Sequence, residues 1–147
     1  MSDSAPDRPV VRLVDIRETP LDVAEVLAAV EDHGAGGVDV FVGTVRDHDR
    51  DKGVTGLEYS QHPSALDRLH DVVESVAKEY DVLAVAAVHR VGNLRLGDLA
   101  VVVATAAAHR GEAFEATRAL IDQLKQTVPI WKHQLFDDGS DEWVGTP

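Results

Sequence analysis

VLAVAAVHRVGNLRLGDLAVVVATAAA, residues 82–108, is the stretch that decides the fold. VLAVAAVHRV (82–91) and LAVVVATAAA (99–108) are nearly uninterrupted runs of small and β-branched apolar residues. Such runs, without polar alternation, predict strands covered on both faces. GNLRLGD (92–98), with two glycines, predicts the turn between them.

The elements on either side read as a mixture of strands and helices. VVRLVDI (10–16) alternates as a strand, behind a loose N-terminal tail over residues 1–9. Thr19-Pro20 predicts a helix start, since threonine caps and proline suits the first helical position. That helix runs through LDVAEVLAAVED and stops near Gly34. GGVDVFVGTV (36–45) and LEYSQ (57–61) read as strands, with RDHDRDKGVTG (46–56) as a charged loop. A second helix follows Pro63-Ser64, with Leu66, Leu69, Val72, Val73, Val76 and Tyr80 on one apolar face. A third spans about 111–127, with Ala113, Phe114, Ala116, Thr117, Leu120, Ile121 and Leu124 inward. Val128 precedes Pro129, which disfavours further helix. IWKHQLF (130–136) and EWV (142–144) then read as strands about the turn DDGSD. Strict βαβ alternation is missing, so the fold class is α+β: about three helices and a mixed or antiparallel sheet in one domain over residues 10–147.

The chain has 147 residues, 44% hydrophobic, enough for one domain with its own core. It has no cysteine, which excludes disulfides, thiolate metal sites and a cysteine nucleophile. No apolar run reaches membrane-span length, and MSDSAPDRP carries no signal-peptide pattern, so the expectation is a soluble cytoplasmic protein. A formal charge of −12 argues against nucleic acid, because phosphate backbones select basic surfaces. On such a chain a local cluster of cations points to an anionic ligand.

Several motifs compete for a functional reading. Asp47, Asp49, Asp51 and Glu58 fall on the first, third, fifth and twelfth places of a calcium loop. The turn glycine comes one place late, at Gly53, and the flanks read as strands, so this is read as a solvated acidic loop. None of the seven histidines has metal-ligand spacing, and no metal is expected. His109-Arg110 ends a buried-type strand and opens a helix: an anion site, or an exposed arginine beside a capping histidine. Arg46 has a similar place at the end of VFVGTV, where Gly43 permits close backbone approach. LKQTVPIWKH (124–133) holds two of the chain's four lysines, Lys125 and Lys132. Lys125 sits where a helix end already favours a cation. Pro129 turns the chain, so the two lysines could converge, and a desolvated lysine beside another cation can act as base or nucleophile.

Four of these segments, in this order, resemble one family, the large catalytic subunits of molybdopterin synthase (the MoaE family). They are FVGTVRDH (41–48), VHRVGNLRLGD (88–98), AAAHRGEAFEA (106–116) and LKQTVPIWKH (124–133), and the resemblance covers about residues 36–144. It implies an α/β-hammerhead-like fold and a homodimer within a heterotetramer, with a small ubiquitin-like sulfur-carrier subunit at each end. That partner's C-terminal Gly-Gly thiocarboxylate would enter the large subunit and give two sulfurs to cyclic pyranopterin monophosphate, with no metal or redox cofactor. The resemblance implies Lys125 and Lys132 as catalytic residues. It implies Thr44, Val45, Arg46, His109, Arg110, His133 and Gln134 as further substrate contacts, with His109 and Arg110 from the neighbouring protomer. Phe41 is a candidate pocket wall, and Trp131 either a wall or part of the core. Where the family commonly follows Trp-Lys with a basic residue and glutamate, this chain has His133 and Gln134. The alternative is a module that binds a pterin phosphate or a ubiquitin-like tail without turnover.

Overall fold

A computed structural model describes residues 8–49 and 51–145. In chain order its elements are β1 (Val11–Arg17), α1 (Val23–Ala29), β2 (Gly37–Thr44), β3 (His48–Asp49), β4 (Lys52–Gln61) and α2 (Ala65–Glu79). There follow β5 (Ala84–Arg90), β6 (Gly92–Leu94), β7 (Leu99–Ala107), α3 (Arg110–Thr127), β8 (Ile130–Phe136) and β9 (Asp141–Val144). Of the tail expected over 1–9, residues 1–7 lie outside the described residues, and Arg8 donates to the Glu31 carbonyl.

The strands form two sheets. The first has the order β1-β5-β7-β2, with β1 parallel to β5 and the other pairs antiparallel. The two apolar runs are its central strands, β5 and β7, and side-chain alternation sends their residues to two cores. Val85, Ala87, Val101 and Val103 pack under α2 and α3, while Ala84, Ala86, Val88, Val102 and Ala104 pack under α1. Helices on both faces explain why neither run alternates with polar residues. The second sheet has the order β3-β4-β8-β9, with β6 also on β4. A small cluster of Val45, Leu57, Leu94 and Ala100, with Tyr59 against it, joins the sheets.

The α+β class with three helices and mixed sheets agrees with the expectation from sequence. Four local expectations need correction. Helix α1 is capped by Asp22, whose carboxylate accepts from the Ala24 N–H, and not by Thr19. The stretch 46–56 is mostly strand: β3 and β4 make a hairpin that turns at Asp51, which has φ 68°. Residues 92–94 are a strand on β4, Glu58 opposite Asn93. On the helices, Leu66 and Phe114 face outward; Phe114 is 56% exposed, its inward place being taken by Ala113 and Ala116.

Helix α3 begins tight against β2. A Cβ on Gly37 would stand 2.9 Å from the Arg110 Cα, so only glycine lets the helix start this close. At its other end the chain leaves α3 through Val128 and Pro129 and enters β8. The Val128 N–H donates to Leu124, and the His62 N–H donates to the Pro129 carbonyl. The tethered link delivers Lys125 and Lys132 to the junction between the sheets.

Candidate active site

Residues opposite one another on neighbouring strands share a face of the sheet. Lys132 on β8 lies between Tyr59 on β4 and Val144 on β9. This row faces the end of α3, and together they line a cleft of about 180 Å³. Lys125, Lys132, Tyr59 and His89 are its polar residues. Two elements joined by a two-residue link thus present both lysines to one space.

His89 reaches the cleft from the first sheet. It shares the face of β5 that carries Val85 and Ala87, the face covered by α3. Its ring meets Tyr59 edge-on at 5.1 Å between centroids. Only 3% of the residue is exposed. Burial is the main reason its pKa falls to about 4, with the nearby Lys125 charge adding to the effect against a hydrogen bond to Arg90. Lys125 is an exposed residue whose side chain nonetheless lines the cleft. Partial desolvation lowers its pKa, and Lys132 lowers it further. Burial raises that of Tyr59. The cleft therefore holds a lysine eased toward its neutral form, a cationic neighbour and a neutral imidazole.

The other residues named from sequence fall in three places. Arg46 precedes β3, beside the Lys52–Val54 end of β4 and away from Tyr59, its side chain 78% exposed and 3.9 Å from Asp49. Asp49 accepts at 2.6 Å from Gln134, which shares the β8 face of Lys132 and is itself buried. Thr44 is exposed; Val45 is buried, and its N–H and carbonyl are bonded to Asp98 and Gly97. Gly43 makes room for the Val101 side chain and, more loosely, the Phe41 ring.

His133 and Trp131 alternate to the opposite face of β8 from Lys132. His133 stacks on Trp143 at 4.3 Å and pairs with Asp141 at 2.7 Å, and Trp131 lies beside His62. Within one protomer these two rings are not brought to the lysine cleft.

His109 and Arg110 open α3, both exposed, beside a shallow hollow shared with Phe114 and Gly36. Lys125 is fifteen residues further along the same helix, roughly 22 Å at 1.5 Å per residue. One protomer therefore does not join the two ends in a single small-molecule site. Among the described residues no three His, Asp or Glu side chains form a metal-holding group, and Glu58 of the calcium-like pattern lies in β4 opposite His133.

Tyr59 and His89 were not picked out from sequence as site residues. The available signal for His89 was a histidine directly after the apolar run 82–88, without metal spacing. For Tyr59 the signal is cross-strand pairing with Lys132, which depends on a register between distant segments.

Comparison with known proteins follows the same lines. Residues 16–127 match the family model described as MoaE protein, which includes Lys125 and stops before Lys132. The chain is 45% identical over 138 residues to molybdopterin synthase catalytic subunit 1 of Mycobacterium tuberculosis, covering 93% of this chain and 91% of that protein. It is 35% identical over 132 residues to the molybdopterin synthase catalytic subunit of Bacillus subtilis, covering 89% and 83%. Among solved structures it resembles molybdopterin synthase from Staphylococcus aureus, with a TM-score of 0.82, 29% identity, and 88% and 95% of the two chains covered. It also resembles the molybdopterin biosynthesis MoaE protein of Burkholderia ambifaria, with a TM-score of 0.77, 33% identity, and 91% and 89% covered.

Proposed function

This chain belongs to the MoaE protein family, and on that premise we propose that it is the catalytic subunit of a molybdopterin synthase, an enzyme of molybdenum cofactor biosynthesis. It converts cyclic pyranopterin monophosphate to molybdopterin with two sulfurs delivered on the C-terminal thiocarboxylate of a small ubiquitin-like subunit. The observation that carries this reading is the meeting of Lys125 and Lys132 in one cleft on a chain of net charge −12.

That cleft suits a narrow, anionic tail. Two cations at its mouth attract a carboxyl-type terminus, and its volume of about 180 Å³ fits a few backbone atoms better than a bulky side chain. When the tail's carbonyl carbon is attacked, negative charge develops on its oxygen, and a fixed ammonium stabilises that charge. Lys125 is the central catalytic residue, because its lowered pKa lets it exchange a proton near neutral pH more readily than an ordinary lysine. Lys132 supplies the second charge and helps to keep that pKa low.

Arg46 and Gln134, linked through Asp49, contact the substrate along the same sheet face. His109 and Arg110 bind the phosphate end from a second protomer, since about 22 Å of helix separates them from their own Lys125. The functional unit is accordingly a homodimer carrying two small subunits. The exposed Phe114 flanks that helix start and belongs to the shared wall, and the exposed Phe41, further along β2 beside Gly43, is a second candidate wall. His133 and Trp131, on the outer face of β8, contribute to a site only if the neighbouring protomer covers them. No described helix is long and apolar enough to cross a membrane, and we place the protein in the cytoplasm.

The test is turnover with purified chain, thiocarboxylated small subunit and cyclic pyranopterin monophosphate, with Lys125→Ala alongside. Molybdopterin from the wild type and little from the variant supports both the reaction and the residue. Equal product from both removes Lys125 from catalysis. Binding of both ligands without product from the wild type makes the chain a binding module.

A further inference from the structure

The two lysines explain why an anion enters the cleft, but they leave its inner wall unexplained. His89 Nδ1 lies 2.7 Å from the Arg90 carbonyl oxygen. A carbonyl only accepts, so Nδ1 carries the hydrogen and donates it. In a neutral ring Nε2 is then a bare lone pair, and burial keeps this ring neutral well below pH 6. Among the described residues no group is within hydrogen-bonding range of Nε2. Nor is Nε2 sealed in: among the described residues, the one fully enclosed side-chain nitrogen or oxygen without a partner is Arg90 Nε. The space His89 lines is the lysine cleft.

Water can satisfy an acceptor that opens onto the cleft, but a ligand that fills the cleft and displaces that water without donating a hydrogen leaves the lone pair buried and unpaired, at a cost. Nε2 repels a carboxylate or thiocarboxylate oxygen and attracts a donor. The cleft thus asks for a ligand with two features: an anionic end for Lys125 and Lys132, and an N–H close behind it. We propose that His89 Nε2 is an acceptor subsite that reads an amide-type N–H of the ligand held by the two lysines. A C-terminal glycine fits directly, because its peptide N–H is separated from its carboxyl-type group by a single Cα. A ring N–H of the pterin has the same chemistry. This subsite rests on the family reading above, and its test separates the two.

The variants are His89→Leu, which removes the acceptor, and His89→Gln, whose amide oxygen restores one near the position of Nε2. The probes are a small ubiquitin-like subunit ending in Gly-Gly carboxylate, the same protein ending in Gly-N-methylglycine, and cyclic pyranopterin monophosphate. Titration calorimetry measures each affinity. If the tail is read, N-methylation weakens binding to the wild type roughly tenfold and scarcely affects the leucine variant, and glutamine recovers most of the loss. If the pterin is read, the leucine variant loses roughly tenfold for the pterin alone. Wild-type affinity of a folded leucine variant for all three probes overturns the subsite.

Nitrogen NMR on the wild-type protein needs no variant. The Nε2 resonance moves on addition of whichever ligand donates to it, and a resonance unchanged by both ligands overturns the proposal. Failure of the wild type to bind any probe removes the proposed function, and the subsite with it.

Discussion

At the C-terminal end of α3, Lys125 leans on a cleft whose far wall is the buried ring of His89, and partial loss of water lowers its pKa. At the N-terminal end, Arg110 stands exposed beside an open hollow. The helix dipole favours a cation at the first end and an anionic ligand at the second. Both ends can therefore attract phosphate or carboxylate, but they do different chemistry with it. A desolvated lysine can change protonation state and stabilise a forming charge, whereas an exposed guanidinium is a permanent, screened contact. Positive charge alone does not mark a catalytic group; the water removed around it does.

The comparison breaks most readily at the lysine. Replacing Lys125 by alanine should lower kcat by roughly 100- to 1000-fold, as for loss of one group that stabilises developing charge. Arg110→Ala should act mainly on KM, and its penalty should shrink as salt screens the contact in the wild type. Steady-state kinetics of both variants at two salt concentrations measure the split. If the ends meet across a dimer, then at substrate well below the KM of the Arg110 variant, mixing the two impaired variants should restore about a quarter of the wild-type sites, through mixed dimers with one intact site each. No recovery after verified exchange would place both ends in separate sites.

The buried wall has its own signature in acid. The unfolded chain binds a proton at His89 near pH 6.5 and the folded chain only near 4, so the unfolded state holds more protons between these values. Stability should therefore fall on acidification from about pH 6.5 to 4, by roughly 3 kcal/mol for this one group, and the loss should level off below that. Urea denaturation across this range, with His89→Gln showing a shallower slope, checks it. The open end is fixed by backbone contact instead. Gly37→Ala, whose added Cβ would meet the Arg110 Cα at 2.9 Å, should cost about 1–3 kcal/mol at every pH. Smallest is Asp22→Ala, which removes the α1 cap on the other face of the first sheet from α3, at about 1 kcal/mol by thermal melt and with turnover unchanged.

How much of this was legible beforehand depends on how local each feature is. The central strands were readable because burial on both faces leaves a run of Val and Ala with no polar alternation. The lysine pair was readable because lysine is scarce and Pro129 stops the helix between them. The β3–β4 hairpin was not, since Lys52, Gly53 and Gly56 have weak strand character and become strand through pairing with β3 and β8. Tyr59 and His89 share that difficulty: each is a site wall only because segments far apart in sequence meet at the junction of the sheets. Phe114 shows the reverse error, for its helical spacing fits the buried stripe while its side chain faces out.

The Val128–Pro129 link has a consequence for how such chains can vary. Side chains on β8 alternate, so the number of residues between the helix and the strand selects which of them serve the cleft. One residue fewer in the link would bring His133 into the place of Lys132 and turn Lys132 outward, exchanging an ammonium for an imidazole without altering a single side chain, and one residue more would bring Trp131 there instead. Related sequences should therefore tolerate substitution in this link far better than insertion or deletion. Its length acts as a phase setting, and its composition matters chiefly through the stop that Pro129 enforces.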